Sequence, residues 1–380
     1  MAPKEPLCNR FLASRGTLRH RLFGVDGSSD SAVPQRDRPV TLKDVARVAE
    51  VHASTASRAL DPSRSNRISS ATIERVQLAA EQLGYVPDLI AKGLKRGTTT
   101  MIGVIVADLE NPFIGPIIRG ISARVEDMGF VTVVAETLED HDRFERTLSH
   151  LGSRRVNAVI TTAARTSDRH LLERFAQKTP ACVLAVRNLE GSGLPCVVMD
   201  DRHGGELAAQ HLIGFGHRVL AQLRGPMDID TFVNRAEGFR RTVGAAGAID
   251  ATVSDNAGAL TVEEGRRLMA ATLDENRSSP PTAVFAHADL MAIGALDEIR
   301  ARGLECPDDI SINGYDDAPL VSHVSPKLTS VSLPGEEIGQ RAGEIVLDVI
   351  ENPRATPESV LLPARLVARE STGPPHGSRP

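Results

Sequence analysis

Short apolar runs alternate with amphipathic stretches from residue 101 onward, and this alternation limits the possible folds more than any other feature. The run MIGVIVA at 101–107 precedes a helical pattern near 115–128, and the runs VTVVA and AVITT follow at 131–135 and 158–162 with a second helical pattern between them. Strands and helices in strict alternation are typical of βαβ units built around a parallel sheet. The pattern therefore predicts an α/β fold with parallel sheets.

The same alternation continues to the end of the chain. We predict further strands at 182–186, 196–199, 218–223, 283–286, 310–314 and 328–333, and further helices at 204–213, 232–246, 262–273, 290–302 and 336–350. Ten or so strands are too many for one doubly wound sheet. We therefore expect two α/β lobes with a cleft between them, and a ligand bound outside the carboxyl ends of the strands.

Composition excludes several classes of protein. The 380 residues are 41% hydrophobic and 24% charged, which is enough for two or three domains, and the longest apolar run, at 101–107, is too short to span a membrane. The four cysteines are Cys8, Cys182, Cys196 and Cys306, and none forms a CxxC motif. Neither a zinc ribbon nor a disulfide scaffold is expected, so a protein of the reducing cytoplasm fits best.

Charge is distributed unevenly along the chain. Residues 1–40 contain 7 basic and 4 acidic groups, residues 41–97 contain 9 and 6, and the remainder contains 28 and 39. A small basic head on a large acidic body is typical of a polyanion-binding domain joined to a domain with another role, although chance unevenness remains an alternative. Residues 1–40 show no apolar period, so we predict a disordered basic extension; an organelle transit peptide is the alternative.

Three short helices are predicted between 41 and 86. Thr41 and Asp44 form the sequence signature of a capping box, a second helix follows at about 53–60, and a third at 70–83 ends at Gly84. Residues 87–97 then offer a short hinge helix. Two short helices joined by a tight turn have the layout of a helix-turn-helix, whose second helix can lie in the major groove.

The second helix has side chains suited to DNA. Small Ala53 and Ser54 allow close approach, Arg58 can donate two hydrogen bonds to guanine, and Thr41, Thr55 and Ser57 suit phosphate oxygens. The alternative is an ordinary three-helix bundle with a solvated Ser/Thr face.

The motifs between residues 41 and 372 resemble those of the LacI/GalR family of bacterial transcription repressors. The resemblance begins with TLKDVARVAEVHASTASRALD and continues through GGELAAQHLIGFGHR, NRAEGFRRTV, PTAVFAHADLMAIGAL, DISINGYDD and PGEEIGQRAGEIVL to ARES, so that it covers residues 41–372. It implies a homodimer in which each head reads one half of a near-palindromic operator in double-stranded DNA. Only a Pro- and Gly-rich tail follows, predicted disordered at 373–380, with no leucine heptads for a tetramerising helix.

The resemblance also assigns roles within the head and hinge. It implies that Ala53, Ser54 and Arg58 read bases, and that Thr41, Thr55, Ser57 and Tyr85 contact or support the DNA backbone. In the hinge, Leu94 matches a leucine that wedges into the minor groove, with Lys92 and Lys95 beside it to meet phosphates. Three residues depart from the usual pattern: Glu50 replaces a turn glycine, His52 a capping serine and Asp88 an asparagine.

For residues 98–372 the resemblance implies an effector-binding and dimerisation core that shares its fold with periplasmic sugar-binding proteins. By motif, Phe113 lines the cleft, Arg235 offers a fork of donors and Asp316 accepts paired hydroxyls. Asp289 matches the family's aspartate, but Ala288 stands where the family usually has an amide side chain. Leu260 stands where the family often has an aromatic ring, and His203 falls at a polar position of the cleft. Phe232 and Tyr315 can supply ring surface. An arginine facing a carboxylate suits a sugar, because hydroxyls both donate and accept.

We therefore predict a sequence-specific DNA-binding regulator, in this family most often a repressor, controlled by a sugar or related metabolite. No catalytic motif, cofactor site or metal site is expected, since His203, His211 and His217 lack paired ligand spacing and the chain has no phosphate-binding glycine loop. Two alternatives stay open. The same head can carry a core that responds to a partner protein, or the core can be a ligand-binding protein of another class.

Overall fold

Two units are described separately in the structure, which is a computed structural model. It describes residues 40–60, 68–85, 99–179, 181–352 and 356–376. The first unit lies within residues 40–85 and the second within 99–376. The predicted hinge with Lys92, Leu94 and Lys95, and all but Val40 of the predicted extension, lie outside the described residues.

The first unit consists of three helices around a small apolar core. They are α1 (Leu42–Val48), α2 (Ala53–Ala59) and α3 (Ser70–Leu83). The predicted capping box is present, because the backbone amide and the hydroxyl of Thr41 donate to Asp44 Oδ2 at 3.0 and 2.7 Å. Val45, Ala56 and Val76 fill the core. Gly84 ends α3 in the left-handed conformation, with φ of 60°.

The second unit contains two six-stranded sheets, one in each lobe. The first sheet has the order β11-β5-β4-β3-β1-β2 and is built from β1 (Met101–Val106), β2 (Val131–Glu136), β3 (Ala158–Thr161), β4 (Ala181–Ala185), β5 (Cys196–Met199) and β11 (Val360–Leu362). The second has the order β12-β10-β9-β8-β6-β7 and is built from β6 (Val219–Leu223), β7 (Ile249–Asp250), β8 (Ala283–Ala286), β9 (Ser311–Asp316), β10 (Thr329–Ser332) and β12 (Arg365–Val367). All pairs are parallel except β10 with β12.

Helices cover both faces of each sheet. They are α4 (Ile114–Glu126), α5 (His141–Ser153), α6 (Arg169–Ala176), α7 (Asp201–Gly214), α8 (Asp230–Ala245), α9 (Val262–Glu275), α10 (Asp289–Ala301) and α11 (Gly335–Glu351), with 3-10 turns at Thr166–Asp168 and Pro319–Ser322. In β1, Ile102 and Val104 pack beneath α4 and α11, whereas Ile105 packs beneath α5 and α6. Because both faces are covered, such strands are apolar throughout.

The chain crosses between the lobes three times, after β5, after β10 and after β11. The predicted two-lobe α/β fold with parallel sheets is thereby confirmed. Helix α6 and the short strands β7, β11 and β12 were not predicted; for the strands, two or three residues are too few to show an alternating period. None of the helices in the described ranges is long and apolar enough to cross a membrane.

Candidate functional site

The turn before α2 contains two of the residues that depart from the family pattern. Glu50 has φ of 51°, a left-handed conformation that costs a residue with a Cβ roughly 1 kcal/mol. His52 takes over the capping role, because its Nδ1 accepts from the backbone amide of Ser54 at 3.3 Å and lies 2.8 Å from Ser54 Oγ. Arg75 of α3 holds the turn by donating to the carbonyl of Ala49 at 3.0 Å. The departures therefore leave a well-formed turn and helix start.

One face of α2 is buried and the other is available to a partner. Ala56 and Ala59 lie in the core, whereas Ser54, Ser57 and Arg58 are exposed. Ala53, Thr55 and Tyr85 are half-buried, and Thr41 is exposed at the start of α1. Arg58 Nε donates to the carbonyl of Ser54 at 3.1 Å, which directs the guanidinium along the first turn of the helix. Ser54 and Arg58 thus share the exposed side of α2, whereas Ala53 packs partly against the core.

A cavity of about 440 Å³ lies between the lobes of the second unit. It opens at the carboxyl ends of several strands, where residues following β1, β2, β3 and β4 meet the end of β9. Its lining includes Phe113, Leu138, Glu139, Arg165, Arg187, Phe232, Arg235, Leu260 and Asp316. The volume is in the range of small-molecule sites.

Arg235 on α8 is the centre of a buried polar cluster beside this cavity. Its Nε donates to Asp201 Oδ1 at 2.8 Å, and the hydroxyl of Tyr315 donates to the same oxygen at 2.9 Å. The guanidinium lies over the Tyr315 ring at 3.4 Å from its centroid, a cation–π geometry. Arg235 Nη1 donates to the carbonyl of His287 and lies 3.9 Å from Asp316 Oδ1. The arginine is therefore fixed before any ligand arrives.

Burial dominates the acidity of the carboxyl groups in this cluster. It raises the pKa of Asp316 to about 7, with Arg235 opposing the shift and Asp201 adding to it. Burial likewise raises the pKa of Asp201 despite the neighbouring Arg235, and burial together with Asp316 raises the pKa of Asp289 well above its ordinary value. Asp316 can thus donate or accept near neutral pH, which suits contact with hydroxyl groups.

A second charged cluster lies on the first-lobe side of the cavity. Arg187 donates to both carboxylate oxygens of Glu139, and Arg165 Nε donates to Glu139 Oε2 at 3.2 Å. Burial alone would raise the pKa of Glu139, but the two arginines together lower it. Leu138, Glu139 and Val186 all have positive φ, between 54° and 69°. Such strained positions concentrate at binding sites.

Residues of the two lobes are tied together at the mouth of the cavity. Arg165 Nη1 donates to Asp228 Oδ2 at 2.7 Å, and Thr166 Oγ1 donates to the Asp228 carbonyl at 3.0 Å. The carboxylate of Asp230 accepts from the backbone amide of Asn188 at 3.1 and 3.2 Å. These contacts hold the lobes close in the structure.

The structure brings together three of the five predicted effector residues. Phe113, Arg235 and Asp316 all line the cavity. His203 does not, because it lies on α7 with its Nδ1 3.3 Å from Glu206 Oε2 and its side chain 45% exposed. Asp289 lies behind the lining.

The carboxylate of Asp289 is hydrogen-bonded within the protein and does not line the cavity. It accepts from Ser330 Oγ at 2.7 Å and from the backbone amide of Ala318 at 2.8 Å, and so supports the loop that follows β9. Neither His203 nor Asp289 therefore fits the predicted contact with an effector. Leu260 and Phe232 line the cavity, whereas Tyr315 lies beneath Arg235.

Sequence analysis missed Glu139, Arg165 and Arg187. The available signal was position, since Arg187 comes two residues after the buried strand β4 and Glu139 three residues after β2. In parallel sheets such positions meet at one edge. Their pairing joins residues 48 positions apart in the chain, which no local pattern shows.

Comparisons with known proteins agree with both units. Residues 41–88 match the lacI family of bacterial regulatory proteins, and residues 209–372 match a periplasmic binding protein-like domain. The HTH-type transcriptional repressor CytR of Escherichia coli (strain K12) is 30% identical over 338 residues, which are 89% of this chain and 98% of that protein.

Two solved structures are similar over the same extent. The Lac repressor dimer bound to operator and the anti-inducer ONPF aligns with a TM-score of 0.78 at 25% identity, over 88% of this chain and 100% of that one. The transcriptional regulator CelR in complex with cellobiose aligns with a TM-score of 0.65 at 30% identity, over 88% and 100%. With the helix-turn-helix layout and the interlobe cavity, these similarities show that the chain belongs to the lacI family of bacterial regulatory proteins.

Proposed function

We propose that this chain is a transcriptional repressor that binds a near-palindromic operator as a homodimer and is controlled by a small polyhydroxylated effector. The observation that carries the proposal is the interlobe cavity, where the fixed guanidinium of Arg235 and the carboxyl group of Asp316 meet at 3.9 Å. The helix-turn-helix unit supplies the DNA-binding part. Because bacterial operators lie on the chromosome, we propose that this protein acts in the cytoplasm.

Within the head, we assign base reading to Ala53, Ser54 and Arg58. Thr41, Thr55, Ser57 and Tyr85 are assigned to the DNA backbone, and in the hinge Leu94 is assigned to the minor groove with Lys92 and Lys95 at phosphates. Arg58 is exposed at the end of the first two turns of α2, where a side chain can reach a guanine edge.

Selection of genomic fragments by the purified full-length protein tests this assignment. The wild type should enrich one near-palindromic motif. Arg58→Ala should lose the preference at one base pair of each half-site, by about 1–3 kcal/mol, while keeping weak, salt-sensitive binding. Lys43→Ala, at an exposed position of α1 that we do not assign to DNA, serves as the control and should keep the motif. An unchanged motif with Arg58→Ala would show that α2 is not the reading helix.

For the effector, the cavity offers both polar and apolar contacts. Arg235 and Asp316 provide donors and acceptors for hydroxyls, while Phe113, Phe232 and Leu260 provide apolar surface for the C–H faces of a sugar ring. The relative CelR was solved with cellobiose, which fits the same class of ligand. We propose that the effector is a sugar or a sugar-containing metabolite, bound without being transformed, since the relatives CytR and CelR are transcriptional regulators.

Calorimetric titration with a panel of mono- and disaccharides and nucleosides identifies the effector, and product analysis checks that it is recovered intact. Asp316→Asn should weaken the binding of the best ligand by about 1–3 kcal/mol, because an amide cannot supply the charged acceptor that the ionised carboxyl group offers to hydroxyls. His203→Ala should bind as the wild type does, since His203 lies outside the lining. Equal affinity of the wild type and Asp316→Asn would place the effector elsewhere.

The edge strand β2 supports the dimer. Val131, Val133 and Val134 are all exposed on this strand, with Val131 at 54%. An exposed apolar edge strand is avoided in proteins unless it is covered by a partner. We propose that a second copy of the chain covers β2, consistent with the dimeric structure of the Lac repressor.

A further inference from the structure

A second groove, separate from the interlobe cavity, lies between α5 and α6 on the first lobe. Its volume is about 380 Å³, and it shares no lining residue with the cavity. We call it the α5–α6 groove and define it by Ser149, Gly152, Leu171, Arg174, Phe175 and Lys178. Nothing in the proposed function makes use of it.

The two walls of the groove have the same residue spacing. Helix α5 contributes positions 145, 148, 149 and 152, and the α6 side contributes positions 171, 174, 175 and 178. Spacing of three and four residues places each set on one helical face. The floor is apolar, with Leu148 buried beneath and Leu171 and Phe175 half-buried. A Cβ added at Gly152 would lie 3.2 Å from Phe175 Cε2, so the two walls meet at that end.

The segment of the chain that carries the groove is rich in basic residues. Residues 141–179 contain eight Lys or Arg and four Asp or Glu, in a chain that has 44 basic and 49 acidic residues. Arg174 and Lys178 lie on the groove itself and are exposed, as is one acidic lining residue, Glu145.

Seven of these eight basic side chains form no ion pair with any described residue. They are Arg143, Arg146, Arg154, Arg155, Arg169, Arg174 and Lys178, and the eighth, Arg165, is paired with Glu139 and Asp228. Two carboxylates of this segment contact histidines rather than these basic side chains: Asp168 contacts His141, and Glu173 contacts His170.

Pairing is the ordinary state of arginines on the other lobe. Arg267 pairs with Asp255 and Glu264, and Arg302 pairs with Asp274 and Glu298. Among the described residues, Arg174 and Lys178 are therefore unpaired positive charges on the α5–α6 groove itself, whereas Arg143 and Arg169 lie on the opposite faces of their helices.

We propose that the α5–α6 groove docks an acidic segment of a partner protein, whose apolar side chains fill the groove while its carboxylates pair with the surrounding basic residues. The apolar floor distinguishes a polypeptide from a nucleic acid, because a phosphate backbone would match the charge and leave Leu171 and Phe175 uncovered. A partner of this chemistry would gain from steering by the basic field and from burial of its apolar anchors.

The probe for the test is a fluorescein-labelled peptide, EEDLEEFLDE, whose three apolar residues fall on one helical face. Fluorescence anisotropy with the full-length protein should show saturable binding that weakens as salt is added. Arg174→Glu combined with Lys178→Glu should weaken binding by about tenfold or more. Ser149→Trp should also weaken it, since the indole would occupy the groove without changing its charge.

Three controls separate this docking from other binding. Arg241→Glu combined with Arg365→Glu reverses two exposed charges elsewhere and should leave binding within about twofold of the wild type. The peptide EEDSEESSDE keeps the charge but not the anchors and should bind about tenfold more weakly. Unchanged operator binding by each variant checks that the protein is folded.

The proposal is overturned by any of three results. The first is no binding of EEDLEEFLDE at millimolar concentration, and the second is equal binding of the peptide without anchors. The third is that the wild type binds a labelled non-operator duplex but not the peptide, and that the Arg174→Glu, Lys178→Glu variant no longer binds the duplex. That result would assign the groove to nucleic acid.

Discussion

Asp230 shows how a single half-buried carboxyl group links the pH of the medium to the contact between the lobes. Its carboxylate accepts from the backbone amide of Asn188 in the other lobe. Burial raises its pKa to about 6, and the hydrogen bonds from Asn188 and Thr231 only partly oppose this. The folded chain therefore keeps a proton up to about pH 6 that the unfolded chain releases near pH 4. It follows that the free energy of unfolding falls as the pH rises through this window.

Asp230→Asn should remove this contribution. The variant keeps an oxygen that can accept from Asn188, but it cannot ionise. Relative to the wild type, it should gain up to about 3 kcal/mol in free energy of unfolding between pH 4 and pH 7. Urea denaturation of the full chain at several pH values measures the difference. Asp348→Asn, at an exposed position of α11, is the control and should follow the pH dependence of the wild type. Parallel curves for Asp230→Asn and the wild type would contradict the assignment.

Arg235 and Asp316 within motifs were predictable, but Asp289 within another motif was not, and neither were residues paired across the fold. The motifs around Arg235 and Asp316 allowed both to be assigned to the cleft, and both line the cavity. The resemblance placed His203 at a polar cleft position outside the quoted motifs, and its side chain is instead 45% exposed. The Glu139–Arg187 pair was missed because each residue follows a different strand and only the sheet order brings them together.

At the level of elements, three helix pairs approach so closely that their backbones touch. In each pair two glycines face the partner backbone, and an added Cβ would lie 1.9 to 2.2 Å from a carbonyl oxygen of the partner helix. The pairs are α4 with α11 through Gly120 and Gly339, α7 with α8 through Gly205 and Gly238, and α9 with α10 through Gly265 and Gly294. Close approach of this kind permits Cα–H to carbonyl contacts and dense packing. The helices were predictable from their periods, but these reciprocal contacts were not, since a helix period does not reveal its partner.

Gly238→Ala tests one of the two closest of these contacts. Its Cβ would lie 1.9 Å from the carbonyl oxygen of Arg202, so α7 and α8 must move apart. We expect the free energy of unfolding to fall by about 2–3 kcal/mol, as measured by urea denaturation of the full chain. Gly244→Ala, in the same helix with no atom within 4 Å of the added Cβ, should instead gain up to about 1 kcal/mol from helix propensity. Equal effects of the two substitutions would show that the crossing can relax without cost.

For the whole molecule, the sequence predicted the two lobes but not how the chain divides between them. Counting strands was enough to exclude a single sheet. The crossings after β10 and β11 bring the C-terminal segment back through both lobes, and the strands that carry it, β11 and β12, are three residues each. Their strand conformation depends on pairing with the neighbouring strands β5 and β10, so their own sequences show little sign of a strand.

The first sheet has two edge strands at which a second copy of the chain can bind. Strand β2 is one edge of this sheet and β11 is the other, and each exposes apolar side chains, Val133 on β2 and Leu361 on β11. We propose that only β2 is covered by the second copy. Val133→Lys should therefore weaken the dimer, because a lysine on an edge strand opposes pairing with another chain. Sedimentation at micromolar concentration should then show a monomer.

Operator binding should fall together with the dimer. Two heads on one dimer bind with an effective concentration that separate chains lack, so Val133→Lys should lose about 100-fold in operator affinity at low protein concentration and recover part of it as the concentration rises. Leu361→Lys, the matched change on the opposite edge, should remain dimeric and bind the operator as the wild type does. If Val133→Lys stays dimeric while Leu361→Lys dissociates, the second copy covers β11, and the exposed valines of β2 require another partner.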